Sequence, residues 1–199
     1  MSFFRGFIKS VFDYVTVIFF IPFWVPLLIV LAVIIKVCEP AYPVFFLQTR
    51  IGRNGIPFRM IKFRSMIPNR SSNTITSKND KRITRLGSFL RKRKLDELPE
   101  LLNILNGTMS LVGPRPDVPG YADNLKGEDR LVLRLRPGIT GPASLKYSNE
   151  EELLARMENP KWYNDNVIFP DKIKINLNYY HNHNLWLDIT LIFQTIFAK

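Results

Sequence analysis

From Val15 to Ile35 the chain runs for 21 residues without a charge, VTVIFFIPFWVPLLIVLAVII. A stretch that long and apolar can cross a bilayer as a straight helix. Near its middle stand two prolines, Pro22 and Pro26. Each removes a backbone hydrogen bond and crowds the preceding turn, so a break or sharp kink is expected inside the run. Basic residues flank both ends, Arg5 and Lys9 before it and Lys36 after it. The asymmetry of positive charge that orients a spanning helix is therefore missing. Two arrangements satisfy these facts. One is a kinked transmembrane helix; the other is a helix that enters the membrane, turns at the prolines and leaves on the same side. A cleaved signal peptide fits poorly, because Val37-Cys38-Glu39-Pro40 offers no small-residue cleavage site.

Past this segment the pattern changes period. Tyr42 to Gln48 is rich in β-formers, Arg53-Asn54-Gly55 supplies a turn, and Phe58 to Met66 resumes the strand, which predicts a hairpin. Lys62 and Arg64 lie two apart and share one face of that strand, either a phosphate-facing edge or a solvated one. Pro68 to Asp80 is polar and reads as a loop. Lys78 to Lys94 then carries eight basic residues against one acidic, with Ile83, Leu86, Phe89 and Leu90 at helical spacing. That is an amphipathic basic helix, suited to anionic lipid headgroups.

Charge supports the same direction. With 28 Lys and Arg against 17 Asp and Glu, the net charge is +11, which calls for an anionic partner: phosphate-bearing substrates, anionic lipid or nucleic acid. One cysteine, Cys38, excludes an internal disulfide, and two histidines leave no zinc cluster in view. His181 and His183 read as exposed polar residues.

Next comes Leu95-Asp96-Glu97-Leu98-Pro99-Glu100-Leu101. A helix beginning near Asp96 puts Leu95, Leu98, Leu101, Leu102 and Leu105 on one core-facing stripe, with Asp96 and Glu97 pointing away from it. Pro99 fits in the first turn, where its missing N–H costs nothing. Two carboxylates at a helix N-terminus, after the basic run Arg91 to Lys94, are expected to be ionised. Taken alone, such a pair is an ordinary cap and first-turn charge.

Two further elements present arginine beside proline. In Gly113-Pro114-Arg115-Pro116 the flanking prolines hold Arg115 at low entropic cost, which suits a planar guanidinium meant for a diphosphate or a base. In Arg136-Pro137-Gly138-Ile139-Thr140-Gly141 the glycines permit close approach and an anion-binding turn. Glu150 to Met157 reads as a short acidic helix. The chain closes with Ile189, Ile192, Phe193, Ile196 and Phe197 at helical spacing, an amphipathic helix.

The order PVFFLQTRIGRNGIPFRMIKFRSM, RITRLGSFLRKRKLDELPELLNILNGTMSLVGPRP and LRPGITGPASL resembles the bacterial sugar transferase family, the monotopic phosphoglycosyl transferases. The resemblance covers nearly the whole chain. It implies an α+β fold: a re-entrant, helix-break-helix membrane segment over residues 1–36, broken at Pro22 and Pro26. A small, mixed, mostly helical catalytic domain then covers 37–199, with a β-hairpin and amphipathic surface helices. It implies transfer of a sugar-1-phosphate from a UDP-sugar to a polyprenyl (undecaprenyl) phosphate, with release of UMP, at the start of surface glycan assembly. Asp96 would be the nucleophile, forming an aspartyl phosphosugar, with Glu97 its partner and Mg²⁺ beside Asp96. Arg115 with Pro114 and Pro116 would help hold the nucleotide; Arg91, Arg136 and Lys62 are the further candidates for substrate contact. Anionic lipids are expected partners and nucleic acid is not. The expected place is the cytosolic leaflet of the bacterial inner membrane; the oligomeric state and the sugar stay open.

In this chain Val25 precedes the second proline, Thr108 stands where many members carry an acidic group, and Arg93-Lys94 replace small residues before the Asp-Glu pair. Two other readings are consistent with the residues. One is a metal-dependent phosphotransferase working by direct displacement. The other is a non-catalytic basic protein of the membrane surface, which leaves the Asp-Glu element and both Arg-Pro elements unexplained.

Overall fold

A computed structural model describes residues 3–67 and 82–197. The expected loop over Pro68 to Asp80 and the start of the basic segment, Lys78 to Lys81, lie outside the described residues.

The apolar run forms two helices, α1 (Phe3–Phe19) and α2 (Ile21–Cys38), interrupted at Phe20. Pro22 sits in the first turn of α2, where it needs no donor, while its ring would clash with the Ile18 carbonyl if α1 continued. Pro26 lies inside α2 and does not end it. So the break precedes both prolines, and Pro22 accounts for it. Across the break, Trp24 Nε1 donates to the Val17 carbonyl at 3.0 Å, occupying an acceptor at the end of α1.

Both helices are one-sided. On α1, Lys9, Asp13 and Val17 are buried at helical spacing; on α2, Trp24, Leu31 and Ile35 are. Their outer faces expose Val11, Val15, Ile18, Phe19, Phe23, Val30, Val33 and Val37. Lys9 Nζ meets Asp188 Oδ2 at 2.6 Å, and Asp13 accepts from Ser110 Oγ at 2.7 Å and from the Leu111 N–H. Residues far apart in sequence thus pin α1 through buried charges.

The hairpin forms β1 (Phe45–Ile51) and β2 (Pro57–Phe63), antiparallel, with Phe46 opposite Lys62 and Arg50 opposite Phe58. Asn54 and Gly55, with φ of 60° and 79°, make the turn. Helix α3 (Arg85–Lys92) starts at Thr84, whose side chain accepts from the Gly87 N–H. It is shorter than the basic pattern suggested, because Ile83 is paired in a bridge with Met66 instead. After α4 (Glu100–Leu105), strand β3 (Ser110–Val112) pairs in parallel with β4 (Gly138–Thr140). Short helices α5 (Pro142–Lys146), α6 (Glu150–Ala155) and α7 (Pro160–Tyr163) follow. The chain ends in α8 (Phe169–Asn182) and α9 (Leu185–Phe197).

One core joins Val17, Trp24, Met60, Ile104 and Met109, and so packs the α1–α2 break onto β2 and α4. A second joins Leu31, Ile35, Phe63 and Leu90, seating α2 on β2 and α3. A third holds Val112, Leu135, Tyr179, Tyr180 and Leu191.

In the terminal helix Phe193, Ile196 and Phe197 are 55%, 66% and 72% exposed, while Asp188 and Leu191 turn inward and Ile192 packs against the same core. One expectation is corrected here. His181 is exposed as expected but His183 is buried, because the α8–α9 turn tucks its ring beside Tyr179 with Nδ1 on the Tyr180 carbonyl.

Candidate active site

Asp96 and Glu97 do not open an α-helix. They lie in a 3₁₀ turn, Leu95–Glu97, entered through Lys94 in left-handed geometry (φ 53°), and α4 begins only at Glu100. Pro99 explains the difference. Without an N–H it cannot bond back to Leu95, and the Leu98 and Leu101 N–H groups donate three residues back instead, to Leu95 and Leu98. Nor are the two carboxylates solvated: both residues are buried, and neither caps a helix.

Their surroundings split the pair. Glu97 Oε1 receives Lys62 Nζ at 2.8 Å from β2 and an Arg115 terminal nitrogen at 2.5 Å from the loop after β3. Burial works against its charge, yet Arg115 and Lys62 together hold its carboxyl below the usual carboxylate range. Asp96 receives no side-chain hydrogen bond among the described residues. Burial, and then the charge of Glu97, push its pKa up, against the pull of Lys62, Arg91 and Arg115. The expectation that both carboxylates share a helix-terminal field favouring ionisation therefore holds in direction for Glu97 and not for Asp96.

A third carboxylate was missed. Glu100 is 2% exposed, 3.2 Å from Lys62 Nζ, and its Oε1 lacks a hydrogen-bond partner. Burial, with Glu97 adding repulsion, pushes it up to about 7 despite Lys62. Asn103 was missed as well. It is 1% exposed, accepts from the Ile61 N–H at 2.9 Å and donates to the Arg59 carbonyl at 2.8 Å. That stitch fixes the segment of β2 carrying Lys62 against α4. A polar residue on the buried side of a leucine-rich helix was the signal for both.

The Pro114-Arg115-Pro116 loop is clamped through its carbonyls: Gly138 N–H donates to Pro114, and an Arg50 terminal nitrogen donates to Pro116 at 3.2 Å. Gly138 does allow a close approach, since a Cβ there would lie 2.1 Å from the Gly113 nitrogen. The neighbour is a strand, however, and the N–H groups of Gly113 and Gly138 are spent on Thr140 and Pro114 carbonyls. Those two N–H groups are therefore not open to an anion, and Arg136 makes no ion pair among the described residues. Arg91 reaches across to Glu151 on α6. Arg64, expected on one face with Lys62, instead donates outside the site to the Pro43 carbonyl.

Among the described residues no group of three metal-ligating side chains converges. The donors suit a different kind of site. Magnesium is commonly held by one or two carboxylates with substrate phosphates and water completing its shell. The uncommitted carboxylate of Asp96 fits that role.

Glu100 gives the site a pH signature. Its folded pKa lies above the ordinary 4.5, so between there and about 7 the folded state holds a proton that the unfolded state has lost. The stability it contributes is whole below that window and is lost as pH rises through about 7. Glu100→Gln removes the loss. The variant's thermal stability relative to wild type is expected to grow between about pH 5 and pH 8, by a few kcal/mol at about 1.4 kcal/mol per pKa unit. A constant difference across that range would show that Glu100 does not titrate there.

Comparison with known proteins adds the context. The model of the family described as bacterial sugar transferase matches residues 4–199. The chain is 36% identical, over 96% of its length and 43% of the relative's, to a UDP-N-acetylgalactosamine-undecaprenyl-phosphate N-acetylgalactosaminephosphotransferase of Aeromonas hydrophila. It is 35% identical, over 86% of its length and 36% of the relative's, to the UDP-glucose:undecaprenyl-phosphate glucose-1-phosphate transferase of Escherichia coli. A protein of the latter name from Caulobacter vibrioides is 32% identical over 94% of this chain and 68% of its own. The chain thus spans less than half the length of the first two relatives. With the match running through the membrane-type helices, the Asp-Glu turn and the Arg115 loop alike, the chain belongs to the bacterial sugar transferase family.

Proposed function

We propose that this chain transfers a sugar-1-phosphate from a UDP-sugar to a polyprenyl phosphate, releasing UMP, as the first step of a surface glycan. The observation that carries the reading is Asp96 itself: a buried carboxylate with no side-chain hydrogen bond among the described residues, in the field of Lys62, Arg91 and Arg115. Such a group is free to attack, and the cations around it can take up charge on phosphate oxygens. An Asp96 oxygen forms a bond to the phosphorus bearing the sugar, and the bond from that phosphorus to the bridging oxygen breaks, so that UMP departs with the electron pair. The lipid phosphate then attacks the same phosphorus and restores the Asp96 carboxylate. Glu97 holds Lys62 and Arg115 in place for both halves. Bound Mg²⁺, held by Asp96 and substrate phosphates, would neutralise diphosphate charge.

The membrane assignment rests on packing. Lys9, Asp13 and Val17 of α1 and Trp24, Leu31 and Ile35 of α2 all lie against one body, built from β2, β3, α3, α4 and α9. Two arms docked on one domain favour a re-entrant segment over a spanning one, although α2 alone has the length and apolarity to cross. We therefore read residues 1–36 as embedded and 37–199 as the catalytic part at the cytosolic leaflet of the inner membrane. The exposed Phe89, Lys92 and Arg93 at the end of α3 suit contact with anionic lipid. A cysteine introduced at Ser2 and the native, exposed Cys38 should then be labelled from the same side of inverted vesicles. Labelling from opposite sides would establish a crossing helix.

The activity is tested by incubating the membrane-reconstituted protein with undecaprenyl phosphate, Mg²⁺ and a panel of UDP-sugars. The names of the relatives suggest UDP-glucose, UDP-galactose and UDP-N-acetylgalactosamine as the first to try. UMP release that needs both lipid and metal is the expected result. Its absence with every sugar, in protein of verified fold, would leave the surface-binding alternative.

A further inference from the structure

Arg50 is a half-buried cation that forms no ion pair with a carboxylate among the described residues. One terminal nitrogen donates to the Pro116 carbonyl at 3.2 Å, and the other donates to Gln48 Oε1 at 2.8 Å. Both acceptors are neutral. The Nε–H is buried without a partner, and Arg50 forms no ion pair with any described carboxylate. A guanidinium has five N–H donors, so three of them have no acceptor here. Burial, reinforced by the nearby charge of Arg115, pushes its pKa down to about 10. Asp117 comes next along the same loop and its charge acts on Arg50, but the two form no ion pair within 4.0 Å among the described residues.

The second guanidinium completes the picture. Arg115 commits one nitrogen to Glu97, and its side chain is 46% exposed, so its other donors face solvent. Two like charges are thus held together by a rigid frame: the Ile51 N–H donates to the Asp117 carbonyl at 2.9 Å, and the arm of Arg50 reaches Pro116. Glu97 neutralises one of them. Buried charge is costly unless paired, and an orphaned buried donor costs free energy too. A tetrahedral dianion would answer the charge deficit, since its oxygens can accept from the terminal nitrogens of two guanidiniums at once.

We propose that Arg50 and Arg115 together form a phosphate subsite, in which Arg50 is the second arm and also braces the loop that carries the first. The identity of the phosphate rests on the transferase reading; the subsite itself rests on Arg50, without an ion pair among the described residues, held beside the exposed Arg115. Two sources share this chemistry, the diphosphate of a nucleotide sugar and the headgroup of a lipid phosphate.

The test uses the full chain in nanodiscs and measures binding by thermal shift and calorimetry, with inorganic pyrophosphate, UMP and undecaprenyl phosphate as separate probes. The variants are Arg50→Gln, Arg50→Lys and, as a control of equal charge change on the hairpin turn, Arg53→Gln. Wild type and Arg53→Gln are expected to bind at least one probe alike. Arg50→Gln should bind it about tenfold more weakly, the scale of a charge-assisted contact, with Arg50→Lys between them. If Arg50→Gln does not fold, Arg50→Lys keeps the charge and the test. The probe that loses affinity names the source: UMP and pyrophosphate for the nucleotide side, undecaprenyl phosphate for the lipid side. Equal binding by Arg50→Gln and wild type would reduce Arg50 to a loop brace, and so would an equal loss in Arg53→Gln. Arg50-dependent pyrophosphate binding without sugar transfer would uphold the subsite and overturn the transferase reading; transfer with an unchanged KM for both substrates in Arg50→Gln would do the reverse.

Discussion

Asp96→Asn is expected to abolish sugar-phosphate transfer, by about a thousandfold or more, in a protein that folds as well as wild type. The amide matches the carboxylate in size but cannot form the phosphoryl bond. Folding should not suffer, because Asp96 makes no side-chain hydrogen bond among the described residues and its charge is opposed by burial and by Glu97. Stability and activity are thereby separated at one residue. Intact-mass analysis supplies the mechanistic half. Incubation with the accepted UDP-sugar and no lipid should add the mass of one sugar phosphate to wild type. The adduct should vanish when lipid phosphate is supplied, and it should never form on Asp96→Asn. An active enzyme with no trappable adduct, whose double-reciprocal plots intersect rather than run parallel, would work by direct displacement.

The second large effect lies far from that chemistry. Asp188→Asn should destabilise the protein by about 3 kcal/mol, because it strands the ammonium of Lys9 in a buried site. Asp188 has a side-chain exposure of 1% and also accepts from the Tyr179 hydroxyl, a contact that asparagine can keep. The loss should therefore report the Lys9 contact, its charge and its hydrogen bond together, since an amide nitrogen in place of Oδ2 cannot accept from Nζ. Adding Lys9→Met removes the stranded cation and should recover most of the stability, a coupling that a double-mutant cycle measures in the detergent-solubilised protein. Additive losses would mean that the pair is incidental to holding α1 in place.

How far these features could be read from the residues depends on their range. The hairpin was legible because its turn is local: Asn54-Gly55 carries the positive φ that the turn requires. Asp96, Glu97 and Arg115 were singled out through a family pattern, and the structure brings Glu97 and Arg115 into contact. The 3₁₀ turn was misread as a helix start because a proline fits the first turn of a helix, whereas here its missing N–H removes the bond back to Leu95 and leaves three-residue bonds on either side. Arg50 and Glu100 were invisible for another reason. Their roles depend on what burial leaves unpaired, and no spacing rule reports that. The amphipathic terminal helix was legible from the spacing of Ile189, Ile192, Phe193, Ile196 and Phe197, but the inward turn of Asp188 toward Lys9 was not, because its partner lies 179 residues away.

The anchoring of α1 also has a consequence for how the chain is made. Its first helix leaves the ribosome carrying Lys9 and Asp13, whose partners Ser110, Leu111 and Asp188 are still untranslated. For most of synthesis those two charges must stay hydrated or pair with each other, which keeps the start of α1 near the water-facing layer while the apolar turn behind it is free to sink into lipid. Docking of α1 is then the last event rather than the first, completed only when residue 188 arrives. A chain truncated before α9 should insert normally and yet leave its first helix open to protease.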